Sequence, residues 1–148
     1  MSAAPVSTTP PAPETAALRL EFDQLTIGDW KKLLAQAPHS NLLLSWPVAL
    51  ATFESKRQRP FFGVFYNNNT PVALVVVHRW AFLSFERVNI HRGPVWLMPP
   101  CDSLQQQALH LLMETLTQKW GKKPLRRRTH LLPELPNREP FISFLRQQ

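Results

Sequence analysis

The chain has 148 residues, 44% of them hydrophobic and 18% charged, enough for one domain with a buried core. Its net charge of +7 and pI near 10.3 favour polyanionic partners over cationic ones. A single cysteine, Cys101, excludes an internal disulfide framework and a cysteine-based zinc site. No apolar run approaches the roughly 18–20 residues of a membrane span, and no basic flank precedes an apolar core at the N-terminus, so a cytoplasmic protein without a secretory signal is expected.

Met1 to Ala17 is Ala, Pro, Ser and Thr with one charged residue, Glu14, and is expected to be a disordered tail, leaving residues 18–148 as one domain. Leu18 to Phe22 alternates apolar and polar residues, as a strand does. Thr26 can cap a helix running through Ala37, with Ile27, Trp30, Leu33 and Leu34 at helical spacing and Pro38 as its stop. After the short apolar stretch Asn41 to Leu44, Ser45 is an N-cap and Pro47 falls in the first turn of a helix that reaches about Lys56.

The period then changes to two. Phe61 to Tyr66 predicts a strand, and Asn67 to Thr70 a turn, because Asn tolerates positive φ. Pro71 to Trp80 predicts a second strand, apolar on both faces from Val72 to Val77 and therefore central in its sheet. Phe85 to Ile90 completes a three-stranded antiparallel meander, which Arg92-Gly93-Pro94 breaks. Asp102 or Ser103 caps a helix to Trp120 with a stripe of Leu104, Ala108, Leu111, Leu112 and Leu116, and Gly121 ends it. Leu125 to Leu132 predicts another strand and Glu139 to Arg146 a last short helix. The order β-α-α-β-β-β-α-β-α predicts an α/β (α+β) fold, a central, mostly antiparallel sheet with helices packed on it.

Two basic clusters stand out. Lys56, Arg57 and Arg59 form one, and Lys119, Lys122, Lys123, Arg126, Arg127 and Arg128 form a denser one. The second reads either as a polyanion-binding stretch or as a solvated helix end with a basic loop. At Arg92-Gly93-Pro94, Gly93 permits an unusual backbone angle and Pro94 fixes the next one. The turn is either rigid with Arg92 solvated, or it presents Arg92 to an anion in a cleft.

The ordered set Asn41-Leu42-Leu43-Leu44-Ser45-Trp46, Thr70-Pro71-Val72-Ala73 and Arg92-Gly93-Pro94-Val95-Trp96 resembles the first lobe of Fem-type (FemAB-like) peptidyltransferases, relatives of the GNAT acyltransferases. The closing stretch Leu131-Leu132-Pro133-Glu134-Leu135 with Phe144-Leu145 is similar to the end of that lobe, so a second lobe, with the donor side of the cleft, is expected to be missing from these residues. The resemblance implies transfer of an acyl or aminoacyl group to an amine, with aminoacyl-tRNA or acyl-CoA as donor. It implies a substrate cleft near Trp46, Arg79, Arg92 and Gly93. One departure concerns the acceptor: the helix after Trp46 has no basic residue before Lys56, where family members often carry one for a precursor phosphate, so a cell-wall precursor is not the expected acceptor.

No cofactor motif is recognisable. The four glycines, Gly28, Gly63, Gly93 and Gly121, are far apart, which excludes a Gly-rich pyrophosphate loop, a P-loop and a dinucleotide fingerprint. Nothing suggests a metal site. Among five scattered histidines, His91 abuts the turn and is the general-base candidate. His78 reads as a core or rim residue, His110 as exposed, and His39 and His130 carry no signal. Cys101 sits at a helix start, where a thiolate is favoured, but no base is evident beside it. Trp46, Trp80 and Trp96 read as core residues or as ligand platforms. Besides an acyltransferase lobe, the composition supports a non-catalytic basic module for RNA, tRNA or another acidic partner, or a homodimer that replaces the missing lobe.

Overall fold

A computed structural model describes residues 18–40, 42–83, 85–91, 93–121 and 125–130, with only the backbone described for His91 and 125–130. The expected tail, the closing helix Glu139 to Arg146, and Arg92, Lys122 and Lys123 lie outside the described residues. The elements are β1 (Leu18–Phe22), α1 (Ile27–Gln36), a 3-10 turn (Leu42–Leu44), α2 (Trp46–Lys56), β2 (Arg59–Asn67), β3 (Thr70–Phe82), β4 (Phe85–His91), β5 (Val95–Trp96), α3 (Asp102–Trp120) and β6 (Leu125–His130).

The six strands form one sheet in the order β1-β2-β3-β4-β6, with β5 also on β3. Pairing is antiparallel throughout except between β4 and β6, which α3 joins as a parallel crossover. β3 is central, as its two apolar faces predict. Asn68 and Asn69 make a two-residue hairpin turn between β2 and β3, with φ of 47° and 67°, the pair of positive angles that matches strand twist.

Alternation along the strands divides the core. Phe61, Phe65, Val75, Val77, Val88 and Ile90 pack with Ala108, Leu112, Leu116 and Trp120 of α3. Phe62, Val64, Leu74 and Val76 face the other way, against Trp30, Leu44 and Ala49. The Trp30 indole N–H donates to the Leu44 carbonyl at 2.9 Å, so its one polar atom is satisfied in the core.

Several local expectations need correction. Thr26 caps α1 as predicted, accepting from the Asp29 N–H at 3.2 Å, and Ser45 is the N-cap position of α2 as expected, though its hydroxyl donates back to the Leu42 carbonyl and not to the helix. The α3 N-cap is Cys101, not Asp102 or Ser103. Asp102 falls inside the first turn, where the helix dipole favours a carboxylate. The α3 stripe gains Gln105, Leu109 and Trp120, while Leu104 and Leu111 are only half-buried. The break after β4 is not the end of that edge. Ile90 pairs with Val77 and Val95 with Leu74, so four residues of one strand oppose two of β3. Gly93 and Pro94 lie in this bulge, and the strand resumes as β5.

Candidate functional site

The carboxyl ends of β4 and β6 meet beside the bulge. In a sheet of this kind, ligands settle outside the carboxyl ends of parallel strands, where a crossover leaves room between loops. His91 and His130 are register partners at that end. Gly93 and Pro94, which follow on, are both buried. No sequence signal relates His91 to His130, because only the α3 crossover brings them side by side.

The other candidates are distributed differently. Arg79 lies on the α3 face, over the Trp120 ring with its guanidinium carbon 5.7 Å from the ring centroid. Its Nη2 is 2.6 Å from Oε1 of Glu86, whose side chain is only 6% exposed. This ion pair already occupies Arg79 with a carboxylate of its own chain. Trp46 sits on the opposite face, stacked on Phe62 with ring centroids 3.9 Å apart and planes 7° apart. With Asp23, Leu50, Phe53, Arg59 and Pro60 these two rings line a groove of about 480 Å³. The sheet therefore separates Trp46 from Arg79, and of the residues assigned to substrate only Arg92 and Gly93 adjoin His91 in the chain.

The basic stretch is also divided. The Lys119 ammonium lies over Phe22, Phe61 and Trp120, 5.4 to 5.8 Å from their ring centroids. Arg126, Arg127 and Arg128 belong to β6, in register with Arg87, Val88 and Asn89 of β4.

At the start of α3, the Cys101 thiol is exposed and 3.3 Å from the Ser103 hydroxyl. That hydrogen bond, helped by the Leu104 backbone, holds the thiol below its ordinary pKa. Among the described residues no base is recorded against it and no cluster of His, Cys, Asp and Glu could hold a metal. No described helix is long and apolar enough to cross a membrane.

No protein-family model and no curated protein matches the sequence. Solved structures do match the shape. A transcriptional regulator from Bacillus halodurans C-125 aligns at a TM-score of 0.53 and 14% identity, over 86% of this chain and 91% of its own. The PaiA N-acetyltransferase from Thermoplasma acidophilum, solved in complex with coenzyme A, aligns at 0.50 and 14% identity, over 87% and 88%. The sheet order and these alignments agree on one α+β fold, a central and mostly antiparallel sheet with helices packed on it, shared with the PaiA N-acetyltransferase.

Proposed function

We propose that this lobe serves transfer of an acyl group to an amine. The observation that supports the reading is the parallel β4–β6 pair, in which His91 and His130 are register partners at the carboxyl ends, next to the bulge that holds Gly93 and Pro94. In the reaction an amine nitrogen attacks the acyl carbon, a C–N bond forms, and the bond to the donor's sulfur or oxygen breaks. His91 takes the proton that the amine loses and passes it to the leaving group. An imidazole is suited to this near neutral pH. Arg92 is assigned to an anionic group of the substrate, and Gly93 lets the backbone approach it.

A coenzyme A pyrophosphate does not fit the start of α3. The β4–α3 connection contains Pro94, Pro99 and Pro100, which lack N–H donors, and Asp102 puts a carboxylate in the first turn. The donor is therefore taken to be an activated ester or thioester held by other means. The finer form of the reading, aminoacyl transfer in the Fem manner, is supported by the resemblance around Ser45-Trp46 and Arg92-Gly93-Pro94-Val95-Trp96.

The test is to offer aminoacyl esters and short-chain thioesters with a panel of primary amines and detect amides by mass spectrometry. Amide formation that needs the protein and falls at least about 100-fold in His91→Gln supports the reading. No product with any donor would overturn it.

A further inference from the structure

The distal ends of β3 and β4 run past β2, whose last pair with β3 is Arg59 with Arg79. On this extension Trp80 pairs with Arg87, and Phe82 with Phe85. Directly opposed residues on antiparallel strands share a face, so positions 78, 80, 82, 85, 87 and 89 form one surface. Nearer the centre, the same face holds Leu74 and Val76 beneath Trp30 and Leu44. His78 and Asn89 are still buried. Beyond them the cover stops: Trp80 is half-buried, Arg87 is exposed, and Phe82 and Phe85 are 56% and 55% exposed.

The surface is organised. The Trp80 and Phe82 rings stack, with centroids 5.7 Å apart and planes 18° apart. Arg87 Nε donates to Asn89 Oδ1 at 3.1 Å, and Asn89 Nδ2 donates to Gln58 Oε1 at 3.3 Å. The first bond fixes the guanidinium while using one of its five N–H donors. Gln58 lies between α2 and β2, so the link between those two elements borders this face. On the other side β6 sets Arg126 beside Arg87 and Arg128 beside Asn89. No acidic residue occupies any of these face positions.

Exposed rings beside Arg87, on a strand whose neighbour β6 carries arginines at the adjoining register positions, fit a polyanion with flat apolar faces. We propose that this face of β3 and β4, bordered by β6, binds a single-stranded polynucleotide, with bases stacking on Trp80, Phe82 and Phe85 and phosphates meeting Arg87. A duplex keeps its base faces hidden from such rings. A lipid surface would have to take the Arg87 guanidinium as deep as the Trp80 ring, because the two are register partners. A second copy of this chain would bring the same positive strip against itself.

The inference is independent of the acyl-transfer reading and shares no residue with it, so either can fail alone. The experiment is fluorescence anisotropy of the whole protein with a roughly 12-nucleotide oligouridylate, the matching duplex RNA, and vesicles containing phosphatidylserine. Phe82→Ser and Phe85→Ser remove exposed rings, and circular dichroism checks that each variant is folded. Each is expected to weaken oligouridylate binding at least about fivefold. Arg87→Gln is expected to flatten the log–log salt slope by about 0.7. Binding unchanged in both folded ring variants, equal affinity for the duplex, or ring-dependent binding to vesicles in place of RNA would each overturn the proposal.

Discussion

The Arg79 guanidinium meets the Glu86 carboxylate at 2.6 Å, and Glu86 is the more deeply buried of the two, 6% exposed against 29%. Removing the arginine alone leaves a buried carboxylate without its cation. Arg79→Met is expected to destabilise the fold by about 3–5 kcal/mol in urea unfolding, whereas Arg79→Met with Glu86→Leu should recover much of the loss. A double variant no more stable than the single one would show that the pair contributes through packing over Trp120 and not through charge.

Asp23 makes a second local clamp. Its φ is 58°, its N–H donates to the Phe62 carbonyl at 2.8 Å, and its Oδ1 accepts from the Phe62 N–H at 2.9 Å. Asp23→Ala loses the acceptor and keeps the strained angle, so a cost of about 1–3 kcal/mol is expected. Asp23→Asn, which retains an acceptor and tolerates that angle, should cost clearly less. Equal unfolding midpoints for the two variants would remove the hydrogen bond from the account.

Gly63 lies where β2 passes under Phe22. A Cβ there would come within 2.8 Å of both Phe22 Cε1 and Val75 Cγ1. Gly63→Ala is expected to cost about 1–3 kcal/mol by overpacking. Adding Val75→Ala should relieve part of that cost, and thermal unfolding of the two variants decides it.

The Cys101 thiol supplies a pH prediction. Hydrogen bonding from Ser103, then from the Leu104 backbone, lowers its pKa, because both favour the thiolate. Iodoacetamide alkylation should therefore reach its half-maximal rate at a lower pH than an ordinary thiol, near 8.5. Ser103→Ala should move that midpoint upward. An unmoved midpoint would assign the effect to the helix terminus alone.

Much of this architecture can be read from the chain. The Asn67-Asn68-Asn69 run, set between two period-two segments, gives the β2–β3 hairpin, and the double-sided apolar run Val72 to Val77 gives the central strand. The two-residue β5 is too short to show any period and hides behind Pro94. The arrangement of candidates across the sheet is hidden for a different reason. Because β3 is apolar on both faces, its sequence does not say which face α2 covers, so nothing separates Trp46 from Arg79 until the helices are placed. The aromatic surface was obscured by distance: Trp80 and Phe82 stand more than forty residues before the β6 arginines, and the meander aligns them.

The parallel pairing of β4 with β6 also sets an order of assembly. The β2–β3 turn closes over two residues, but Glu86 and Leu125 are about forty residues apart and wait for α3 to form between them. The meander can therefore nucleate early, while β6 docks last and, among the described strands, pairs with β4 alone. Amide exchange should open β6 well before β3. Both proposed sites adjoin β6, so a nascent or partly opened chain would keep its core and lose both together.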